Sequence, residues 1–586
     1  MKRTQKILLM LITLLALNTI TSCKKVLDVK NISAIDQGDV WSDPAAMQLL
    51  VNVIYANAEP EGFGTGYSNL GRINFAMGAM SGEGRPSYEF LGWTNGPVNG
   101  ISFNVASAPF QRWSYSTIRL CNDFLTKIET LYPAQTSNAE IRNNLIGQVK
   151  FFRAFLYWRM IQIYGGVPIV DKVLNESSPE LYGARNTMEE CFQFVIKDLK
   201  EAGRLLPLNV GSGNRGRITR GAALGLLSRV LIYRASPMYS PTPNTQYWQE
   251  ASDAAKAVLD LNVYSLNNVA FGSWFLNKDN AETIWQVEFV KGKRMHGWDA
   301  SQMANIPFAV GDAVNTCPTQ ELVDAFPMNN GKAITDATSG FNPNDPYVNR
   351  DPRLRATVVT NGETFGGIPV YSFVSEGANV ATNFKYNPNG LGMSYGTGTG
   401  YFMRKAMDES LVTATPREYN YGTGSYTNWV EMRLAEIMLY YAEAENELGR
   451  TAPAYDIIGK LRARAGIAAG TGNTYGIPLG LSKEDMRIAI QNERFIELAF
   501  ENKRYWDLKR WKLAEVVLNA PTHVAVITKK NNTPLTSNGT DYTYRYEVSR
   551  HDISFPPVFQ QKYYYLPIPQ SQILLNPKLE QNPLWK

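Results

Sequence analysis

Histidine and cysteine are scarce in this chain of 586 residues. The three histidines are His296, His523 and His551. The four cysteines are Cys23, Cys121, Cys191 and Cys317. Because no histidines and cysteines recur at metal-ligand spacing, we expect no metal site. The three cysteines after Cys23 are an odd number and widely spaced, which makes a poor disulfide framework, and Cys121 and Cys191 fall in helical patterns typical of small core residues.

An excess of charge of one sign is also absent. The chain has 58 Lys and Arg against 53 Asp and Glu, a formal charge of +5. Residues 1–22 carry three of the basic residues and no acidic one, so without them 55 basic residues face 53 acidic ones, or +2. This balance does not favour nucleic acid as a partner.

The chain has one long apolar run, at its N-terminus. Residues 7–17 are apolar and follow Lys2, Arg3 and Lys6. The run is too short to span a bilayer and has the size of the apolar region of a signal peptide. It leads to Ile-Thr-Ser before Cys23, which resembles a bacterial lipobox. We therefore predict a lipoprotein signal peptide over 1–22 and lipidation of Cys23, which tethers without spanning; an ordinary signal peptide with an incidental cysteine is the alternative.

Helical periodicity dominates the next part of the chain, residues 23–265. Apolar residues recur at helical spacing over 44–55, 113–131, 141–164, 188–206, 219–233 and 248–261. Helices of this length with short loops indicate antiparallel pairs stacked as in tetratricopeptide repeats. We therefore predict a mainly α fold. A G-x-G-x-x-G match at 211–216 follows a helix rather than a strand, so we interpret it as a loop and not as a dinucleotide site.

Residues 266–586 have a different character. Residues 282–289 favour a strand, and the rest of 268–427 is rich in turns. A helical block covers 428–518, a second irregular segment covers 519–557, and a Pro-rich aromatic tail follows. We predict that this part, with a few short strands, forms one globular unit with residues 23–265.

Three helices are predicted in the helical block. Asn428 is placed to be the N-cap of the first, Gly449 its C′ residue, and Ser482 the N-cap of the third. The third helix is predicted to continue through residue 511.

Three glutamates recur every four residues in that third helix, at Glu493, Glu497 and Glu501, and like charges at this spacing repel each other. Nearby arginines are Arg433, Arg462, Arg464, Arg494, Arg504 and Arg510. We therefore predict ion pairs between packed helices. A glycosidase would need two carboxyl groups that face each other across a sugar, which neighbours on one helix wall do not provide. We assign no catalytic residues and no cofactor.

Short motifs run in a fixed order through nearly the whole chain. The first half contains W-x-Y-x-x-I-x-x-C-N-x-F-L at 113–125, F-R-A at 152–154, Y-G-G-V-P at 164–168 and G-R-I-T-R-G-A-A at 216–223. P-T-Q-E-L-V at 318–323, D-P-R-L at 351–354 and R-L-A-E at 433–436 follow, then E-R at 493–494, R-W at 510–511 and L-P-I-P at 566–569. Behind a lipobox, this series resembles the SusD/RagB family of Bacteroidetes outer-membrane lipoproteins.

The resemblance implies a fold and a role. The fold is a right-handed scaffold of four tetratricopeptide-like helix pairs with a loop-rich remainder. The role is non-catalytic binding of an oligosaccharide at the cell surface, by a lipid-anchored protein that covers a TonB-dependent, SusC-like outer-membrane transporter. Binding of peptide or another nutrient in the same role, and a purely structural scaffold for the transporter, are the alternatives. Lys24 and Lys25 depart from the acidic residues often found after the lipidated cysteine, which puts surface export in doubt.

Aromatic residues outside the helical patterns are the candidates for ligand contact. Trp93 lies in a Gly-rich loop and Trp298 in a polar stretch after the predicted strand. An exposed indole offers a flat apolar face to a sugar ring, and neighbouring polar side chains can bond its hydroxyls. The family draws its site from loops in corresponding regions. The predicted ligand-contact residues are Arg85, Tyr88, Trp93, Asn95, His296, Trp298 and Asp299; packing within the loops is the alternative.

Overall fold

The protein is described here from a computed structural model. The described residues are 37–60, 78, 80–85, 113–135, 138–266, 271–296, 298, 316–373, 397–413, 424–530, 538–549, 552–553 and 556–586. The predicted signal peptide and Cys23 lie outside them. Within the described residues, no helix combines the length and the apolar character needed to cross a bilayer.

Fifteen α-helices are found in the described part of the chain. Those of the first half are α1 (Gln37–Ser42), α2 (Pro44–Ala58), α3 (Tyr115–Leu131), α4 (Ala139–Tyr164), α5 (Met188–Leu205), α6 (Arg220–Ala235) and α7 (Thr245–Leu259). Those of the second half are α8 (Gln320–Ala325), α9 (Pro352–Thr357), α10 (Leu434–Glu447), α11 (Ala452–Ala465), α12 (Lys483–Glu497), α13 (Arg504–Arg510), α14 (Ala514–Val517) and α15 (Gln570–Leu575). The predicted mainly α fold is confirmed.

The helix boundaries follow local capping chemistry. Thr187 begins α5 with a reciprocal capping box to Glu190. The Thr219 side chain accepts from the Ala222 N–H at the start of α6, and Ser482 accepts from the Asp485 N–H at the start of α12. The predicted N-cap at Ser482 is therefore confirmed.

The long helices form one continuous stack. In order, α3 packs on α4, α4 on α5, α5 on α6, α6 on α7 and α7 on α10, which also contacts α11 and α12. Each helix thus buries its apolar face against its neighbours in the series, as in tetratricopeptide-like repeats. The stack runs from the predicted N-terminal part into the helical block, so α10 joins the two parts.

The strands form five separate antiparallel pairs among the described residues. They are β1 (Gly84–Arg85) with β3 (Cys317–Pro318), β2 (Thr283–Val287) with β8 (Trp429–Arg433), β4 (Val358–Val359) with β7 (Phe402–Met403), β5 (Thr364–Phe365) with β6 (Ile368–Pro369), and β9 (His523–Lys529) with β10 (Tyr542–Val548). The predicted strand over 282–289 is confirmed as β2. The prediction that 519–557 is irregular is wrong, because β9 and β10 lie within it.

The predicted start of the first helix in the block is also wrong. Residues 429–433 form β8, and α10 begins at Leu434 after Arg433. Trp429 and Val430 of this strand belong to the hydrophobic core of the irregular half, and Met432 belongs to the core of the helix stack. A strand that is buried on both faces is as apolar as a buried helix, so spacing could not separate the two. The residue Gly449 does follow the end of α10 with a positive φ of 81°, as predicted.

The third helix of the block ends earlier than predicted. Helix α12 stops at Glu497, and Phe500 and Asn502 take left-handed φ values of 58° and 60° before α13 begins. Only Glu493 and Glu497 of the three stacked glutamates therefore share a helix, while Glu501 lies in the turn. This reduces the repulsion along one helix wall and points Glu501 toward the irregular half.

Two large hydrophobic cores and a smaller third one hold the fold together. The first core lies within α1–α7 and includes Tyr563, Leu566 and Ile568 from the C-terminal tail. The second lies in the irregular half, and the third between α10, α11 and α12. The tail is tied to the end of α4, because the Leu566 N–H donates to the Ile163 carbonyl at 2.7 Å.

Candidate functional site

The structure describes three of the seven predicted ligand residues. The other four, Tyr88, Trp93, Asn95 and Asp299, lie outside the described residues. Arg85, His296 and Trp298 are described, and all three are buried.

Arg85 belongs to a structural ion pair. It lies on β1, opposite Cys317 of β3, and is 5% exposed. Its Nε and Nη2 donate to the two carboxylate oxygens of Asp552, at 2.8 and 3.3 Å. The same carboxylate accepts from the N–H and hydroxyl of Thr522, both at 2.7 Å. The sequence predicts that Arg85 contacts ligand. In the structure its guanidinium is held by the fold and is not open to a ligand.

His296 is a buried, neutral histidine. Its backbone pairs with Ser425, and its Nδ1 accepts from the Trp298 N–H at 3.2 Å. Nε2 is then the protonated nitrogen and donates to the Thr427 carbonyl at 2.9 Å. Burial lowers the pKa of His296 to about 4, with the nearby Lys278 acting in the same direction and the hydrogen bond to Thr427 opposing it.

Trp298 is a core residue and not an exposed platform. Its side chain is 4% exposed and packs in the second core. The expected exposure of this indole is therefore wrong. The residues that flank Trp298 in the sequence are polar and do not indicate burial. Its apolar neighbours in the core come from distant parts of the chain.

Near the second core, described segments that are distant in the sequence are joined by hydrogen bonds. The Gly398 N–H donates to Cys317 Sγ at 3.4 Å, beside the pair formed by Arg85 and Cys317. The Ser372 hydroxyl donates to the Gly400 carbonyl at 2.7 Å. The neighbouring residues Trp298, Phe373 and Tyr401 belong to the second core. Residues 83–85, 316–318, 371–373 and 397–401 are joined by these contacts and form a frame beside the second core.

The frame includes one carboxyl group with an unusual proton affinity. Burial raises the pKa of Glu83 to about 7, against the lowering effect of hydrogen bonds from the Ser81 hydroxyl and the Phe500 N–H. Glu83 lies two residues before Arg85 and is 1% exposed. Because it is enclosed by protein groups, it has no open face toward a substrate.

The stacked glutamates form a buried ion cluster. Five acidic and five basic side chains join in one network of ion pairs: Glu282, Asp351, Glu493, Glu497, Glu501, Arg353, Lys405, Arg433, Arg462 and Arg464. The predicted pairing of these glutamates is confirmed for Arg433, Arg462 and Arg464, whereas Arg494 pairs with Asp507, and Arg510 with Asp507 and Glu443. Arg353, Lys405 and Glu282 were not foreseen, because they come from the irregular half.

The charges of this cluster hold its acids ionised. Burial alone would raise the pKa of Glu497, but Arg464, Arg433 and Arg353 outweigh it and hold that pKa well below its usual range. The pKa of Glu493 and that of Glu501 are also lowered, against burial, by their own cationic partners. A glycosidase needs a carboxyl group that keeps its proton near neutral pH, and these three glutamates do not provide one.

Within the described part of the protein, no three His, Cys, Asp or Glu side chains are grouped so as to hold an ion. Cys121, Cys191 and Cys317 are buried free thiols, in agreement with the core role predicted for the first two.

Known proteins resemble this chain in sequence and in structure. A model of the SusD family matches residues 281–585, and a second family model, described as starch-binding and associating with the outer membrane, matches residues 101–232. A SusD-like protein of Formosa agariphila is 25% identical over 383 residues, which are 64% of this chain and 66% of that protein. The chain thus spans just under two thirds of the length of this relative.

Solved structures share the whole fold. A SusD-like protein of Bacteroides fragilis has a TM-score of 0.70 and 23% identity, over 94% of this chain and 98% of that one. A SusD-like carbohydrate-binding protein of the same species also has a TM-score of 0.70, with 20% identity over 92% of this chain and 100% of that one.

Proposed function

Because this chain belongs to the SusD family, we propose that it is a non-catalytic lipoprotein of the outer membrane that binds oligosaccharides. The family match over residues 281–585 is the observation that carries the proposal. The starch-binding description of the second matching model and the carbohydrate binding of one structural neighbour support the ligand class.

The proposed binding residues are those of the loops that leave the frame around the second core. Trp93 and Tyr88 would stack on sugar rings, and Asn95 and Asp299 would bond hydroxyls. Arg85, His296 and Trp298 serve this site indirectly, because their buried contacts hold the ends of the loops. A rigid scaffold that presents variable loops is a common basis for selective binding.

The absence of catalysis is part of the proposal. The strongest concentration of carboxylates, around Glu493, Glu497 and Glu501, is fully paired with cations and buried. Such groups stabilise the fold but neither donate a proton to a glycosidic oxygen nor reach a water.

Delivery to a transporter completes the proposed role. Lipidation of Cys23 would tether the protein to the outer membrane, and a SusC-like, TonB-dependent barrel would receive the ligand. This step rests on membership of the family and on the lipobox before Cys23. Antibody labelling of intact cells, with a Lys24→Asp Lys25→Asp variant beside the unaltered chain, would test whether the protein faces the surface.

Binding is tested with the full chain in a detergent that has no sugar headgroup. An oligosaccharide array that includes starch fragments identifies the ligand, and calorimetry measures its affinity. We expect Trp93→Ala to abolish or strongly weaken binding without lowering the melting temperature. Trp298→Ala is the matched control, in which the melting temperature falls because the indole is buried.

Four outcomes would contradict parts of this proposal. Binding of peptides but of no glycan would replace the ligand class and keep the role. Capture of the barrel without any small ligand would favour a purely structural scaffold. Release of reducing ends from an oligosaccharide would show catalysis. Glycan binding of unchanged affinity in Trp93→Ala would refute the assigned residue but not the function.

A further inference from the structure

A cleft of about 500 Å³ lies beside the start of α3. It is formed by the first turns of α3, the segment 168–183 and residues 572–579, all of which are described. Arg85, His296 and Trp298, the described residues among those predicted to contact ligand, do not line it. A volume of this size is typical of sites for small ligands.

The interior of the cleft is apolar. Ile118 of α3, Leu174 and Leu579 line it and are almost completely buried. Three distant segments of the chain supply these side chains, so the interior is a product of the folded structure and not of one flexible loop.

Aromatic rings line the cleft at two places. Trp113 is half-buried and held edge-on against Tyr164, with ring centroids 5.5 Å apart. Tyr182 is 47% exposed, at the end of a short helical turn, Pro179–Tyr182. A fixed indole and an accessible phenol ring are both suited to the apolar face of a sugar.

Several polar groups of the cleft have hydrogen-bonding capacity to spare. Within the described residues, the Trp113 indole N–H, the Tyr182 hydroxyl and the Gln572 amide make no hydrogen bond to protein. Arg119 donates through Nη1 to the Leu174 carbonyl at 2.6 Å, which leaves its Nε and Nη2 protons available. Lys172, by contrast, is paired with Glu180 at 2.6 Å.

This combination selects one class of ligand. An acyl chain would fill the apolar interior but leave the available hydrogen-bond donors unpaired. A small anion would meet one cation, Arg119, that is not already paired with a carboxylate in the cleft. A sugar presents an apolar C–H face together with several hydroxyl groups, and so matches both features. We propose that the cleft is a second oligosaccharide-binding site, separate from the loops around the second core; this inference rests on the proposed function.

The test uses the full chain, in detergent without a sugar headgroup, and oligosaccharides found by array. Calorimetry is first done on Trp93→Ala, which isolates the cleft from the proposed loop site. We expect residual binding there, and we expect Tyr182→Ala or Arg119→Ala in that background to raise the dissociation constant about tenfold or more. Tyr182→Phe, which keeps the ring, should weaken binding less than Tyr182→Ala.

Leu574→Ala is the matched control. Leu574 is 77% exposed on α15 and does not line the cleft, so its truncation should leave binding unchanged. A photoreactive derivative of the same oligosaccharide should label peptides that contain residues 168–183 or 572–579.

The possible failures can be told apart. If the unaltered chain binds no glycan on the array, both the proposed function and this inference are overturned. If Trp93→Ala removes all binding, or if the residual binding is insensitive to Tyr182 and Arg119, the second site is refuted while the proposed function stands. If Trp93→Ala changes nothing but Tyr182→Ala abolishes binding, the cleft is supported and the loop assignment is lost.

Discussion

Arg433 is a central cation of the buried ion cluster, and its removal tests how the fold is held together. The side chain is 0% exposed and donates five hydrogen bonds to Glu282, Glu497 and Glu501. Replacement by Met keeps a long apolar side chain but leaves five acidic groups facing four basic ones. Removing one partner of a buried ion pair costs about 3–5 kcal/mol, and three carboxylates are affected here. We expect Arg433→Met to lower the free energy of unfolding by at least about 4 kcal/mol.

Urea unfolding followed by tryptophan fluorescence and by circular dichroism measures this loss. Arg450→Met is the matched control, because Arg450 also pairs with a glutamate, Glu445, but its side chain is 46% exposed. Exposed pairs contribute about 1 kcal/mol or less. The reasoning about the cluster is refuted if Arg433→Met and Arg450→Met destabilise the protein equally.

Other perturbations test single features. The pKa of His296 is about 4 in the folded protein against an ordinary 6.5, so the unfolded chain takes up the proton first as pH falls. About 3 kcal/mol of the free energy of unfolding should therefore be lost between pH 7 and 4. Urea titrations of His296→Gln should show a weaker dependence of that free energy on pH. Trp298→Ala should cost about 3–5 kcal/mol in the same assay, because it empties a buried site; an unchanged midpoint would contradict its placement in the core. Ser482→Ala removes the hydroxyl that accepts from the Asp485 N–H and should cost about 1 kcal/mol, measured by thermal unfolding; a gain in stability would argue against the cap.

The helical part of the fold could be predicted because its signals are local. The apolar spacing over 141–164 and 188–206 marked α4 and α5 to within two residues, and Ser482 marked the start of α12. Each of these signals lies within a few turns of the element it defines, so no knowledge of the packing was needed.

The strands were harder to predict because their burial depends on residues that are distant in the sequence. The sequence predicts a helix where β8 lies, because residues of this strand are buried in two different cores and their burial does not alternate. For β9 and β10 a signal was present, in the β-branched run after His523 and in the alternation of tyrosine with other residues from Tyr542 to Tyr546. It was outweighed by the glycines, prolines and asparagines that surround these strands.

Distance along the chain also limited the prediction of sites. Arg353 meets Glu493 across 140 residues, and Arg85 meets Asp552 across 467. No spacing rule connects such partners, so Arg85 was interpreted as a ligand residue. The cleft beside Trp113 escaped notice for the same reason, because its three walls come from separate parts of the sequence.

The attachment of the C-terminal tail to α4 bears on when the protein can fold. The Leu566 N–H bonds to the Ile163 carbonyl, and the Asn582 amide bonds to the Tyr164 carbonyl at 3.1 Å. A chain that leaves the ribosome or a translocation pore from its N-terminus therefore exposes the helix stack long before residues 563–582 arrive to cover it. The first core therefore closes only after nearly the whole chain has been synthesised.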